Sequence, residues 1–453
     1  MLKAEMLNWP KRLLVSFIKR FDKTKKTHKA INRAVQCYAT NRKLTGYHIL
    51  NGILRKQFKV LPQRYAEFLQ QSIHDIYHKN LNEELYNDIK KKTLLKTVDI
   101  PAERLSIRQW QLLRYLFVRM GFLSGATAFR QKAVERAYRQ LRSNVYEKLS
   151  VVEGFKAAMD NADFQFAEHC LDLFKQMSPE KNENVLENYF MLMNGKISPR
   201  CSLPDRDTNH KDSKYKEYIQ GKTVAVVGPA ASGHRNGKEI DDYDIIVRIG
   251  YKGVGGSEDE YGKRVDVSYY GDGILEIYMV HENCEFLQSL DFANFKSNKF
   301  KKIVNPTLEG KCRRFLHNSM FFSGSPTMVQ CALYDLLQFN PSKIKLFNLN
   351  FNLSRKTHYN GYHKADAETN KRMKKYRYEY HEMWGSQSAT QDITGGFAHH
   401  DHISQLRFTK RLWKNNCIDV DEACAKVLEM NEEAYLKTME DIHIRPYLLT
   451  IKV

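Results

Sequence analysis

Two short, mainly apolar runs constrain this chain more than any other feature: Thr223 to Val227 (TVAVV) and Asp244 to Ile249 (DIIVRI), the second carrying one charge within the strand, Arg248. Runs of this kind, rich in β-branched residues, suit strands buried on both faces, and such strands belong to parallel sheets covered by helices. Between them lies Gly228-Pro229-Ala230-Ala231-Ser232-Gly233, which has almost no side-chain bulk. A ligand can approach the amides of such a loop, and Ser232 adds a hydroxyl donor. Strand, small-residue loop, strand is how open α/β sheets hold nucleotides at the carboxyl ends of their strands. The loop is neither a P-loop nor a GxGxxG fingerprint, so alone it suits a plain turn as well as a nucleotide site.

The chain has 453 residues, more than one usual core, so two domains are expected. Its formal charge of +20 implies polyanionic company: nucleic acid, an anionic membrane surface, or acidic sugars and nucleotides. Eight scattered cysteines without a CxxC pair read as buried thiols in a reducing compartment. No signal-like stretch and no run of about 18 apolar residues occurs, which favours a cytoplasmic protein.

In chain order, Lys11 to Phe21 places Leu13, Leu14, Phe17, Ile18 and Phe21 on one helical face, followed by the basic run Lys23 to Lys29. Such a helix suits peripheral contact with an anionic membrane, or docking on its own domain, which is the preferred reading. Residues 1–195 read as a helical domain, a bundle or stack of hairpins. Trp110, Leu113, Phe117 and Met120 share one helix face, as do Phe166, Cys170, Leu173 and Met177. Alternating aromatic and basic residues, as in YHILNGILRKQFK, are read as a core stripe beside a solvated face, and no nucleic acid is expected. Residues 196–214 are polar and twice interrupted by Pro, reading as a linker, and 215–453 read as the α/β domain.

Within that domain Lys301 to Val304 and Lys343 to Leu349 are predicted strands. Between them Ser325 is placed as the N-cap and Pro326 as the first residue of a helix whose buried face holds Val329, Ala332, Leu333 and Leu336. A helix start preceded by Ser323-Gly324-Ser325 offers free amides, a partial positive charge and hydroxyls, which a phosphate needs. Near the end, His399, His400 and His402 flank Asp401 ahead of a helix-like run with Ile403, Leu406 and Trp413 on one side. Their spacing matches no common zinc pattern. One of them can serve as a general base, since imidazole titrates near neutrality; exposed histidines at a helix start are the plainer alternative.

The order VVG, small-residue loop, G-x-EID-x-x-D-x-x-x-R, a later Gly and GKRVDV resembles the large sialyl motif of glycosyltransferase family 29, the sialyltransferases. The turn around Gly324 and Ser325 is similar to that family's small motif, although Pro326 departs from it. His358-Tyr359 resembles the start of the third motif, with Asn360 and Gly361 in place of an aromatic and an acid. The His400 segment resembles the very small motif, with Gln405 where the family has Glu. The resemblance implies a Rossmann-like fold of the GT-A-variant kind and a cytidine monophosphate (CMP) sugar donor. It further implies a glycan or glycolipid acceptor, and inverting transfer with His400 as base.

Donor and phosphate contacts would then come from Gly228, Ala230, Ala231, Ser232, Asp241, Arg248, Gly324, Ser325, Thr327, His358 and Tyr359. The acidic pair in EIDDYD resembles a metal-binding DxD only loosely, so no metal cofactor is expected. Val224 stands where animal members have a motif cysteine, which points to a cytoplasmic, bacterial-type relative. Pro229 and Gly250 replace two Asn residues, so donor contacts differ and a CMP-linked keto-sugar such as Kdo is an alternative to sialic acid. A basic scaffold that binds RNA or membrane without catalysis is the alternative from another class.

Overall fold

The computed structural model describes residues 26–35, 37, 43–79, 82–141, 147–177, 183–195, 210–253, 255–271, 284–315, 321–354, 358–359, 362 and 390–444. The amphipathic run 11–21, most of the linker (196–209), and Asn360 and Gly361 lie outside the described residues.

The first half is helical: α1 (Lys43–Gln57), α2 (Gln63–His78), α3 (Glu83–Val98), α4 (Ile107–Arg119), α5 (Thr127–Gln140), α6 (Lys148–Asn161), α7 (Phe164–Met177) and α8 (Glu183–Met193). Helix α4 starts on a capping box, in which Ser106 and Gln109 satisfy each other's backbone amides. It is buried nearly all round, with Trp110, Leu113 and Phe117 fully enclosed, so it forms the centre of this layer. On α7 the expected face is one residue out of place. Ala167, Cys170, Leu171 and Phe174 are buried, whereas Phe166 and Leu173 sit at the margin and Met177 is exposed. Apolar residues flank both sides of the true stripe, so spacing alone does not fix the angle.

Helix α9 (His210–Ile219) begins inside the stretch read as linker and leads into the sheet. The strands are β1 (Thr223–Val227), β2 (Ile245–Ile249), β3 (Val267–Tyr270), β4 (Phe292–Phe295), β5 (Cys312–Arg314), β6 (Lys343–Phe347) and β7 (Asp419–Val420). All pair in parallel, in the order β5-β4-β3-β2-β1-β6-β7, so the α/β class expected from the apolar runs is the observed one. The chain starts at β1, winds outward to β5, then crosses back to β6. The reversal between β1 and β6 is a topological switch point, where open α/β sheets bind ligands beyond the strand ends.

Lys301 to Val304 is not a strand. Residues Asn298–Lys302 form a 3-10 turn capped by Ser297, and the edge strand falls later, at β5. Strands β3 and β4 escape the apolar pattern because each carries a buried polar residue, Ser268 and Asn294. The remaining helices are α10 (Gly237–Asp241), α11 (Glu258–Tyr261), α12 (Met328–Leu337), α13 (Thr390–His400), α14 (His402–Lys414), α15 (Glu422–Glu429) and α16 (Glu432–Met439). One apolar cluster runs from Trp110 and Phe117 through Phe190 and Tyr215 to Val224, Val247 and Leu346, so helical layer and sheet share a core.

A polar network is sealed beneath β3, β4 and β5. The Arg313 guanidinium donates to both Asp335 oxygens (2.7 and 3.0 Å) and to Asn294 (3.2 Å), and stacks on Tyr215. Tyr269 donates to Asp335 at 2.8 Å. Arg313 is 2 % and Asp335 0 % exposed, so removing one partner strands a buried charge. Arg313→Met should cost about 3–5 kcal/mol in denaturant unfolding, whereas Arg313→Met with Asp335→Leu should recover most of it. Equal losses in the single and double variants would contradict this.

Candidate functional site

The loop after β1 is shaped by close approach to the end of β6. A Cβ on Gly228 would lie 2.6 Å from the Asn348 carbonyl oxygen, so only glycine fits there. The Gly228 amide donates to Phe347 (2.8 Å) and that of Ala230 to Asn348 (3.2 Å), while the Ala230 carbonyl accepts from Tyr261 (2.8 Å). Gly228 and Ala230 are therefore buried and fully used in holding the loop. Beyond them, the amides of Ala231, Ser232 and Gly233 make no hydrogen bond with the described residues. Three successive open amides over a switch point form the kind of concavity that takes an anion.

Asn348 is the hub of this end of the sheet. It sits in the left-handed region (φ 53°) and is fully buried. Its side-chain oxygen accepts from Ser232 (2.7 Å) and Asn236 (3.3 Å), and its amide donates to the Asp421 carboxylate (2.7 Å). Asp421 also caps α15 through the Cys424 amide (2.8 Å), and burial raises its carboxyl above the usual range. Asn348 was not foreseen. Asn348 lies inside the run Lys343 to Leu349 predicted as a strand; the strand ends at Phe347, and Asn is a residue that takes left-handed backbone readily.

Two expected donor ligands are placed otherwise. The Arg248 guanidinium is buried and donates to the carbonyls of Gly255 (2.6 Å), Tyr261 (2.7 Å), Gly262 (2.7 Å) and Arg264 (3.1 Å). Asp241 accepts from the amides of Lys263 (2.9 Å) and Arg264 (3.2 Å). Both are engaged by the 255–264 segment, which contains α11, so neither is presented to a phosphate. Tyr359 does approach the β1 loop: its amide donates to Pro229 (2.9 Å) and its ring packs 4.8 Å from Tyr261. Burial pushes the Tyr359 hydroxyl up to about 12, keeping it protonated as a donor. His358 stacks on Tyr362 at 4.6 Å.

The second group of expected residues converges near the ends of β3 and β4. Helix α12 starts two residues later than predicted, with Thr327 rather than Ser325 at the N-cap. Ser325 is instead engaged by the segment 75 residues away: its carbonyl accepts from His400 Nδ1 (3.0 Å) and Gln405 Nε2 (3.0 Å). Gln405 also accepts from the Thr327 amide at 3.0 Å, and the Ser325 amide donates to the His399 carbonyl (3.0 Å). Gly324 (φ 70°) makes this possible, since a Cβ there would stand 2.7 Å from the His399 carbonyl oxygen. With Nδ1–H bound to a carbonyl, His400 carries its lone pair on Nε2. Burial depresses its pKa, the Ser325 bond opposes this, and Lys296 at the end of β4 lowers it further.

His400 does not enter a helix, as expected, but ends one. Asp401 is left-handed (φ 45°) and separates α13 from α14, which starts at His402. The three histidines consequently diverge. His399 meets Tyr115 edge-on (5.5 Å), His400 meets Ser325, and His402 stacks on Phe397 (4.1 Å) in the core. Among the described residues no group of three His, Cys, Asp or Glu side chains is placed to hold a metal ion. Cys37, Cys170, Cys312, Cys331, Cys417 and Cys424 are free and buried.

The turn at Asp401 is fixed from the helical layer. Arg130 on α5 donates to the Asp401 carboxylate at 3.0 Å, with Ser404 (2.9 Å) and Arg114 (3.7 Å) beside it. Arg114 also donates to the carbonyls of Ala398 (2.9 Å) and Phe397 (3.4 Å), satisfying the end of α13. Gln111, Arg114, Tyr115 and Arg119 form one polar row on α4, and Gln111 bonds Ser323 (2.6 Å) in the turn before α12. A polar row at helical spacing on an otherwise apolar helix was the available signal for these residues.

The chain matches no known protein-family model, and no curated protein matches its sequence.

His402 is 6 % exposed, and burial lowers its pKa to about 3. The unfolded chain takes up this proton near 6.5, so the unfolded state binds more protons between those values. Its contribution is complete above about pH 6.5 and lost as pH falls toward 3. His402→Phe, which keeps the stack on Phe397, should flatten the acid limb of stability by up to about 1.4 kcal/mol per pH unit. An unchanged slope in denaturant titrations from pH 7 to 4 would refute this.

Proposed function

We propose that this protein is a glycosyltransferase that moves sialic acid, or a related keto-sugar such as Kdo, from a CMP-sugar to a hydroxyl of a glycan or glycolipid. The observation that carries the reading is the meeting of Ser325 and His400, which joins two motif-like segments and leaves a neutral imidazole with Nε2 as base. In the proposed reaction Nε2 takes the acceptor's O–H proton and the oxygen attacks the anomeric carbon. The bond from that carbon to the phosphate oxygen breaks, and CMP leaves with the electron pair, inverting the centre. A single phosphate needs modest neutralisation. The open amides of Ala231 to Gly233 and the unpaired first turn of α12 supply donors of that kind. Ser232 and Tyr359 are retained as donor contacts in this reading, while Arg248 and Asp241 act by shaping the 255–264 loop.

His400→Ala should bind CMP with near-normal affinity while turnover falls about 10²- to 10⁴-fold. Because the His400 pKa is depressed, the wild-type acid limb of kcat/KM should lie below about pH 6.5. Near-normal turnover in the variant would remove His400 as base. The absence of any thermal shift with CMP or CTP would favour a non-catalytic basic scaffold, and so overturn the transferase reading.

A further inference from the structure

A cavity of about 430 Å³ lies away from the strand ends, between α14 and the ends of α6, α7 and α8. One stripe of α14 lines it with Arg407, Lys410, Arg411 and Lys414, at the spacing that puts side chains on one helix face. Two acids, Asp160 and Glu432, also face it, and both are taken by Arg407, which donates to Asp160 at 2.6 Å and to Glu432 at 2.9 Å. Asp160 is shared besides with Arg130. The other three cations form no ion pair with the described residues. Arg411 donates to the Met159 carbonyl (2.6 Å) and lies over the Phe164 ring (5.2 Å), and Lys410 donates to the Met430 carbonyl (3.1 Å). Lys414 is exposed at the rim. Carbonyls orient these side chains, and Glu432, Glu429 and Asp160 act on Lys410 and Arg411 only from beyond ion-pair distance, so three like charges face one concavity. Burial, and then the neighbouring Lys414, lower the Lys410 pKa, a strain that a bound anion relieves.

We propose that this cavity is a second ligand site, independent of the strand-end site, and that it binds a phosphate-bearing small molecule or headgroup through Lys410, Arg411 and Lys414. Its volume falls in the range of small-ligand pockets, about 300–1,000 Å³. Three cations suit a phosphate dianion better than a single carboxylate.

The test is calorimetric titration of the full chain with inorganic pyrophosphate at fixed ionic strength, in wild type, Lys410→Gln/Lys414→Gln, and Lys414→Glu. Lys414 is exposed, so its variant should fold normally. Loss of charge-assisted contacts should weaken binding by at least about tenfold in both variants. Flotation with phosphatidylcholine vesicles, with and without phosphatidic acid, separates the sources. Wild-type flotation that needs phosphatidic acid and is lost in the variants supports a lipid headgroup, and pyrophosphate binding without flotation supports a soluble ligand. Equal pyrophosphate affinity in wild type and both variants, or no binding to pyrophosphate or vesicles by wild type, overturns the proposal.

Discussion

The buried carboxylate of Asp401, held between Arg130 and Arg114, is the contact on which the arrangement of the candidate site depends. A non-glycine residue in the left-handed region costs about 1–3 kcal/mol and persists only where its surroundings hold it. Here they do: Asp401 accepts from Arg130 and Ser404, and Arg114 takes the last carbonyls of α13. Burial works against the charge of Arg130, but Asp160 and Asp401 together outweigh it. The turn so fixed stops α13 at His400 and sets the imidazole on the Ser325 carbonyl. The helical layer is therefore part of the construction of the site, although none of its residues lies in the motif-like segments.

At the other side of the site the same division of labour recurs. Charged side chains in the middle of the large-motif-like stretch, Arg248 and Asp241, are consumed in organising backbone. What they leave open is backbone itself, the amides of Ala231 to Gly233, positioned by Asn348 through Ser232 and Asn236. This suits an anion of modest charge, since fixed amide dipoles stabilise it without a buried counter-charge that would have to be desolvated when the site is empty. Lys296 and His400 at the ends of β4 and α13 add one cation and one imidazole, its pKa lowered by burial, to the same edge of the sheet.

Local pattern determined much of this protein. The runs TVAVV and IIVRI specified strands buried on both faces, and such strands imply a parallel sheet with helical cover. The apolar stripe of Trp110, Leu113 and Phe117 specified a helix with one buried face, and small residues after β1 specified a loop that a ligand can approach. Strands β3 and β4 were illegible because their polar residues Ser268 and Asn294 are satisfied only by partners on other elements. What only the tertiary structure decided was which polar groups are spent. Arg248 looks like a phosphate ligand in sequence and becomes a loop clamp once four carbonyls surround it. His400 is singled out among three neighbouring histidines by the motif resemblance alone, and its surroundings become distinct only once Ser325, Gln405 and the Asp401 turn converge on it. The reason is physical: apolar periodicity is a property of neighbouring residues, whereas the satisfaction of a donor or a charge depends on partners brought together from distant parts of the chain.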